Sequence, residues 1–341
     1  MRTCSIEETV GSNKAAFLEA LNRKDLFEAN KIVMELCNVL FEINPDEARQ
    51  QIWKHFYSRL YGRGVQYQCF DFESVDYELY HSAGLKKLFR GPKPDIVDAK
   101  GRYVTLLGAS QFFGRHVQRS PHHHLADALG LTCVNLSVGG AGPEYFLSPD
   151  ILRIANAGLA VVLQVLSGKA VGCDEYPGGD ITHRANGERV KRLKLLREIW
   201  ETSPDEASRL LRKWRARYVE AMNELISHIE VPVVLVWVSA RAPHEWSVDR
   251  FMETGEKGLF PHLIGEDTVR SVAARCAEFV ECSRDDGLPY HFVSRFTGKK
   301  CPSMDKKGRM FWKNNYYPSS GQAARVASRV EAVLRGMHIK K

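Results

Sequence analysis

The sequence lacks any apolar run long enough to cross a bilayer. Its longest runs, residues 159–166 and 231–238, are far shorter than the roughly 20 residues that a spanning helix needs. The first residues also lack the apolar core of a secretory signal. None of the eight cysteines forms a Cys-x-x-Cys pair, which is typical of proteins in a reducing compartment. We therefore expect a soluble protein of the cytoplasm with no membrane span.

Runs of lysine and arginine with interleaved aromatic residues are missing as well, and so are zinc-finger and RNA-binding motifs. The formal net charge is +7. This mild excess of positive charge suits an anionic small ligand at least as well as a nucleic acid, so we expect no nucleic-acid partner. Three consecutive histidines stand at 122–124, but neighbouring side chains on a helix point in different directions and do not converge on a metal. We expect a surface cluster there and no metal site.

The chain of 341 residues is long enough for one large domain with an extension. Residues 1–64 predict helices only, because their apolar residues recur at helical spacing. Asn44 and Pro45 form a helix start signal, and Gly62 and Gly64 are expected to end the same helix. This helical extension could pack on the main domain, cover it as a lid, or form a homodimer through its helices.

From residue 65 to 341 the sequence predicts one α/β domain. After an aromatic loop region, short apolar strands alternate with helices, which predicts βαβ units and a parallel five-stranded sheet. The predicted strands cover 102–107, 132–136, 159–166, 231–238 and 290–293. The predicted helices cover about 121–129, 148–157, 203–229, 266–281 and 320–337.

Small residues and cations follow the predicted strands, at the sheet edge where α/β proteins bind ligands. Two cations, Lys169 and Arg241, follow the third and fourth strands, and Arg90 and Arg115 could lie near them. Such a set suits a phosphate, sulfate or carboxylate group. The alternative is that the glycines make tight turns and the cations are solvated. Residues 173–175, Cys-Asp-Glu, are either further acid–base groups or a solvated loop.

Three segments resemble the conserved blocks of the SGNH, or GDSL-like, hydrolases. Gly-Ala-Ser at 108–110 resembles the first block, whose serine is the nucleophile. Residues 135–140 resemble the second block, whose glycine donates an N–H to the oxyanion hole. Residues 314–319 stand where that family has Asp-x-x-His-Pro. The resemblance implies a flavodoxin-like three-layer α/β/α sandwich over roughly residues 100–338.

The chain departs from the family pattern at the groups that activate the serine. Asn314 stands in place of the aspartate and Tyr317 in place of the histidine. A tyrosine with an ordinary pKa near 10 is a poor general base. The resemblance is closer to an uncharacterised bacterial branch with a degenerate triad, which has the same Arg-Gly-Pro, Gly-Ala-Gly-Pro and Asn-x-Tyr-Tyr-Pro-Ser elements. His244, after the fourth strand, is the substitute base we favour, ahead of His116 and His291.

Two functions remain open at this point. The first is an acyl-group transferase or esterase acting on a carbohydrate or an activated anionic donor, with coenzyme A or a nucleotide as the donor. The second is a non-hydrolytic binding protein, or a transferase of another anionic group such as sulfate. For either function we expect a small-molecule or glycan substrate. The predicted catalytic residues are Ser110, Gly140 and His244, and the predicted substrate-binding residues are Arg90, Arg115, Gly142, Ser167, Lys169, Arg241, Asn314 and Tyr317.

Overall fold

A computed structural model describes the chain from residue 5 to residue 339. It leaves out residues 62, 64, 66, 83, 86, 173–180, 184, 185, 254–259, 306 and 307, and it describes only the backbone of 181–183. The chain splits into two compact units. The first is Met1–Lys93, Arg115–Gln118 and Gly287–Ser319, and the second is Pro94–Gly114, Arg119–Asp286 and Ser320–Lys341. The predicted division into 1–64 and 65–341 stays a prediction.

The regular elements are named in chain order. The helices are α1 (Ile6–Asn22), α2 (Leu26–Ile43), α3 (Pro45–Ile52), α4 (Ser58–Leu60), α5 (Gln68–Asp71), α6 (Ser110–Phe113), α7 (Pro121–Leu129), α8 (Pro143–Phe146), α9 (Pro149–Asn156), α10 (Arg192–Thr202), α11 (Pro204–Ser227), α12 (Val248–Glu253), α13 (Glu266–Ala273) and α14 (Ser320–Gly336). The strands are β1 (Tyr80–His81), β2 (Leu88–Phe89), β3 (Tyr103–Leu107), β4 (Thr132–Asn135), β5 (Ala160–Gln164), β6 (Ile181–His183), β7 (Arg189–Lys191), β8 (Val233–Ser239), β9 (Glu278–Ser283), β10 (Tyr290–His291), β11 (Ser303–Met304), β12 (Met310–Phe311) and β13 (Lys313–Asn314).

The second unit is built on a five-stranded sheet in the order β4-β3-β5-β8-β9. All neighbouring strands pair in parallel. Numbered along the chain this is the order 2-1-3-4-5 of flavodoxin-like folds. Alternate strand residues on one face form a continuous core with α7 and α14. Helix α9 packs against β3 and β5, and Tyr218 of α11 donates a hydrogen bond to Leu166 O.

Helices therefore cover the sheet on both faces, and the predicted three-layer sandwich is confirmed. The buried strands explain why the sequence signal is strong: every residue of β3, β5 and β8 is buried, and strands covered on both faces carry continuous apolar runs. Helix starts predicted from Ser-Pro pairs are also correct, since Pro121, Pro149 and Pro204 each stand in the first turn of a helix.

The predicted fifth strand is wrong in its position. Residues 278–281, predicted as the end of a helix, belong to the edge strand β9, and the helix α13 ends at Ala273. In β9 only Val280 and Cys282 are buried, and so short an alternation is hard to distinguish from helical spacing. Residues 290 and 291 instead form β10, which pairs with β13 in an antiparallel ribbon of the first unit.

The first unit contains the predicted N-terminal helices. Asn44 caps α3, because its Oδ1 accepts hydrogen bonds from the backbone of the first turn. A π-helical turn over Trp53–Tyr57 follows α3, and the aromatic rings of Phe17 and Phe56 pack edge to face. Gly62 and Gly64, predicted to end this helical region, lie outside the described residues. Short antiparallel ribbons β1-β2 and β11-β12 complete the unit with β10-β13.

Among the described residues, no helix combines the length and the apolar character that a membrane span requires.

Candidate functional site

Ser110 lies on the tight turn between β3 and α6, where it is the first residue of the helix. Gln164 at the end of β5 holds this turn, since its Oε1 accepts hydrogen bonds from Ala109 N at 2.8 Å and Phe112 N at 3.3 Å. Gly108 makes the approach feasible, because a Cβ there would lie 2.6 Å from the same oxygen. Ser110 itself is 9% exposed. The turn is therefore clamped to the neighbouring strand.

The strand order reverses between β3 and β5, so the loops after these two strands flank the topological switch point of the sheet. Ligands of open α/β sheets bind in the crevice at that point. Ser110 follows β3, and Ser167 follows β5. The structure thus brings two of the predicted serines to the edge where the fold favours a site.

The glycine-rich loop after β4 lies beside them. Val138 N donates to Gly108 O at 2.9 Å and continues the pairing beyond the strands. A turn closed by Ala141 N and Val138 O places Gly140 at a φ of +78°, a left-handed conformation that glycine adopts without strain. Gly142 allows this loop to meet the one after β5, since a Cβ there would lie 2.9 Å from Ala170 O.

Ser167 forms a hydrogen bond with a histidine that sequence reasoning missed. Its Oγ lies 2.8 Å from His262 Nδ1, and the two side chains belong to residues only 6% and 4% exposed. The neighbouring Gly168 N donates to His262 O at 3.0 Å. No sequence signal pointed to this pair, because the partners are 95 residues apart and His262 stands outside any periodic segment.

Arg241, predicted to bind an anion, donates hydrogen bonds to backbone carbonyls of the protein itself. Its Nη2 donates to Pro261 O at 2.7 Å and to Ile264 O at 2.6 Å. Burial lowers its pKa to about 9, with the charge of Arg250 acting in the same direction. The guanidinium therefore supports the segment that carries His262, and its predicted role towards a ligand rests on the sequence alone.

The remaining predicted residues of the second unit are more open. Lys169 is half-buried in a 3₁₀ turn over Gly168–Ala170. His244, predicted as the base, is exposed in a second 3₁₀ turn over Pro243–Glu245. Cys173, Asp174 and Glu175 lie outside the described residues.

Two predicted residues of the first unit surround a buried carboxylate. Asp71 is 1% exposed. Arg115 Nε donates to Asp71 Oδ2 at 2.9 Å, and Arg115 Nη1 donates to Tyr317 OH at 3.1 Å. Tyr77 OH and Ser303 Oγ also donate to Asp71. The predicted Arg115 and Tyr317 are therefore joined in one buried network.

This network determines the ionisation of Asp71. Burial acts to raise its pKa, but the charges of Arg115 and His116 and the hydrogen bonds from Arg115 and Ser303 outweigh burial and leave the pKa lowered. His116 contributes from close range, with Nδ1 3.4 Å from Asp71 Oδ1. Asp71 is the charged centre that sequence reasoning missed, and an aspartate inside a stretch of aromatic residues was its available signal.

Asn314 and Arg90 shape the backbone of the first unit. Asn314 Oδ1 accepts from Tyr316 N and Tyr317 N, while its Nδ2 donates to Tyr317 O. Arg90 donates to Val117 O at 2.9 Å and to the carbonyl of the next residue, and burial lowers its pKa to about 10. The amide at 314 thus closes the turn on which Tyr317 stands.

The histidines at 122–124 are not a surface cluster. His122 is 3% exposed. Asn135 Nδ2 donates to His122 Nδ1 at 3.0 Å, and Ser120 Oγ lies 2.6 Å from the same nitrogen. The sequence prediction failed because α7 turns this ring towards the end of β4. Within the described part of the chain, no group of three or more metal-ligating side chains comes together.

The first unit also contains a cavity of about 500 Å³. It is lined by Phe27, Asn30, Lys31, Met34, Asp76, Glu78, Leu79, Tyr80, His81, Pro92 and Lys93. Tyr80 is 4% exposed, and its hydroxyl has no hydrogen-bond partner in the described part of the chain. None of the predicted site residues lines this cavity.

Fold and site together define a flavodoxin-like α/β/α protein with glycine-containing loops at the switch point of its sheet. Comparison with family models identifies the family: the chain matches the domain of unknown function DUF6473 over residues 65–176 and 191–335, and it belongs to that family. No curated protein sequence matches the chain.

Several solved structures are similar to the chain. An acetyl xylan esterase from Butyrivibrio proteoclasticus is 9% identical, with a TM-score of 0.37, over 74% of this chain and 67% of that one. Phospholipase A1 from Streptomyces albidoflavus is 13% identical, with a TM-score of 0.37, over 69% and 98%. A candidate SGNH hydrolase from Slackia heliotrinireducens is 13% identical, with a TM-score of 0.33, over 68% and 98%. At TM-scores below 0.5, these likenesses say nothing about what this chain binds or does.

Proposed function

We propose that this chain is an acyl-transfer enzyme, an esterase or an acyl-group transferase, that works at the switch-point edge of its sheet. The observation that carries the proposal is the position of Ser110 on a clamped turn after β3, while Ser167, which is hydrogen-bonded to a histidine, follows the neighbouring strand β5. A serine with a base in hydrogen-bond reach is the arrangement that acyl transfer requires.

The surrounding loops suit the charge that develops in such a reaction. Backbone N–H groups of Ser110 and Gly140 are our candidates for the oxyanion hole, since acyl transfer needs donors aimed at the carbonyl oxygen. Ser110 would attack the carbonyl or position the substrate. The substrate class we propose is an acyl ester of a small molecule or glycan, with coenzyme A or a nucleotide as an activated donor. Lys169, two residues after Ser167 in the chain, is the cation we propose to bind the anionic donor.

Turnover of short-chain acyl esters and acetylated oligosaccharides tests the proposal, with Ser110→Ala compared against Ser137→Ala. Ser137 is a matched control because it is buried directly after β4, and its Oγ has no hydrogen-bond partner among the described residues. We expect Ser110→Ala to lower kcat/KM at least tenfold and Ser137→Ala to leave it within twofold. Full activity in Ser110→Ala would remove Ser110 from the site.

The alternative is a binding protein, or a transferase of another anionic group such as sulfate, that uses the same crevice. The internal use of Arg241 weakens this alternative, because that guanidinium is already hydrogen-bonded to backbone carbonyls. Thermal-shift measurements with coenzyme A, nucleotides and sulfate separate the two functions. A ligand at 100 times its Kd stabilises the folded protein by about 2.7 kcal/mol. Binding of sulfate without turnover of any ester would favour the alternative.

A further inference from the structure

We propose that Ser167 and His262 are the nucleophile and general base of this site, with Ser110 as a positioning neighbour. The inference rests on the proposed acyl-transfer function and assigns its chemistry to named atoms. Ser167 Oγ and His262 Nδ1 are 2.8 Å apart, which lies within the 2.6–3.2 Å range expected of a general base and the proton that it removes.

The segment that carries His262, residues 260–264, is fixed by hydrogen bonds to its backbone. Its five consecutive backbone carbonyls, at residues 260–264, all accept hydrogen bonds from other parts of the second unit. The donors are Ser239 Oγ to Phe260 O, Arg241 Nη2 to Pro261 O and Ile264 O, Gly168 N to His262 O, and Arg215 Nε to Leu263 O.

The buried Arg241 and the half-buried Arg215 thus both donate hydrogen bonds to the backbone around His262. Leu263, the next residue, has a φ of +68°, a conformation that non-glycine residues keep only where the surroundings impose it and that is enriched at active sites. A close approach of Gly168 completes the support, because a Cβ there would lie 2.9 Å from His262 O. The imidazole is therefore preorganised against the hydroxyl, as a base must be.

The topology supports the same assignment. Ser167 follows β5, and β5 is one of the two strands that border the switch point. Through Gln164, β5 also holds the turn of Ser110. The serine with the histidine partner and the serine on the clamped turn consequently follow two neighbouring strands at the same edge of the sheet.

The reaction balances without a cofactor. Ser167 Oγ attacks the ester carbonyl carbon and forms a C–O bond, while its proton moves to His262 Nδ1 and the carbonyl π electrons move to oxygen. Collapse of this intermediate breaks the bond to the leaving alkoxide, which takes the proton from His262. Water or an acceptor alcohol then attacks the acyl carbon and gives its proton to His262. Collapse of this second intermediate breaks the bond to Ser167 Oγ, which takes the proton from His262 and becomes a hydroxyl again.

Labelling of the full-length protein with a fluorophosphonate, followed by peptide mapping, tests the assignment. We expect the label on Ser167, in wild type and in Ser110→Ala alike. His262→Asn can keep a hydrogen bond to Ser167 but cannot act as a base, so labelling should fall about 10²–10⁴-fold. The labelling rate should rise with pH along one ionisation in wild type and lose that dependence in His262→Asn. A label on Ser110, or an unchanged pH profile in His262→Asn, would overturn the assignment while leaving acyl transfer intact.

Ser167→Cys provides a second test that does not depend on turnover. Its thiol should react with iodoacetamide at least tenfold faster than the same thiol in the Ser167→Cys/His262→Asn double variant, as measured on the mapped peptide. Equal rates would overturn the role of His262. If wild type neither takes the label nor hydrolyses any ester while Ser167→Cys still shows the accelerated thiol, the pair stands as a base and nucleophile and the proposed acyl-transfer function fails.

Discussion

Replacing Asp71 by asparagine should strongly destabilise the first unit. The substitution keeps the shape of the side chain but removes its charge and turns one acceptor oxygen into a donor. Asp71 accepts from Arg115, Tyr77 and Ser303, so the new amide group would face donors. The Arg115 side chain is only 11% exposed and would lose its carboxylate partner.

The size of the effect follows from burial. Breaking a buried ion pair by removing one partner costs about 3–5 kcal/mol, because the remaining charge stays buried without compensation. A surface pair offers the contrast. Glu19 and Arg23 lie 2.7 Å apart on α1, with 68% and 58% of their side chains exposed, and such pairs are worth about 0.3–0.5 kcal/mol. Glu19→Gln is therefore a matched control that removes one carboxylate of the same unit.

Urea unfolding of Asp71→Asn, Glu19→Gln and wild type measures the differences in the free energy of unfolding, provided that the dependence of this free energy on urea concentration has the same slope in all three. Because the chain has two compact units, amide hydrogen exchange of peptides spanning α5 should accompany the unfolding curves. We expect faster exchange in α5 for Asp71→Asn alone. A loss below about 1 kcal/mol, similar to that of Glu19→Gln, would refute the reasoning that the network is a buried ion pair.

Three further outcomes follow from the described contacts. The pKa of Asp71 is lowered in the folded protein. The ionised carboxylate therefore contributes its stability above the unfolded pKa near 3.9, and this contribution is lost as the pH falls through the folded pKa. Thermal unfolding between pH 2 and 5 should show this loss in wild type and not in Asp71→Asn. Gly108→Ala should lower the free energy of unfolding by about 1–3 kcal/mol, because the added Cβ would overlap Gln164. Gly11→Ala should raise the free energy of unfolding by about 0.5–1 kcal/mol, because Gly11 lies on α1 with open space around it. Equal effects of the two substitutions in denaturant titrations would contradict this. Tyr80→Phe removes a buried hydroxyl that has no partner in the described part of the chain, so the melting temperature should stay the same or rise, and a clear fall would mean that a solvent or ligand partner is lost.

The placement of His262 shows what sequence patterns cannot provide. Its partner is 95 residues away, and four residues remote in sequence donate the five hydrogen bonds to the carbonyls of its segment. Arg241 illustrates the same limit from the opposite side. A cation after a strand predicts an anion site, but the fold directs its guanidinium to backbone carbonyls. Side-chain direction in a loop depends on neighbours that are remote in sequence.

The local sequence was sufficient where the signal is local. Pro121, Pro149 and Pro204 mark helix starts, and the continuous apolar runs at 159–166 and 231–238 mark strands covered on both faces. The glycine-rich loops after the strands were visible for the same reason, because a turn and its glycines are neighbours along the chain.

The sequence by itself therefore determined the α/β class, the parallel sheet, and the turn of Ser110 at the sheet edge. Only the tertiary structure decided that β9 is an edge strand of the sheet, that Asp71 and Arg115 form a buried ion pair, and that Ser167 is hydrogen-bonded to His262. Periodicity reports how each segment is buried, whereas contacts between segments arise only when the chain folds.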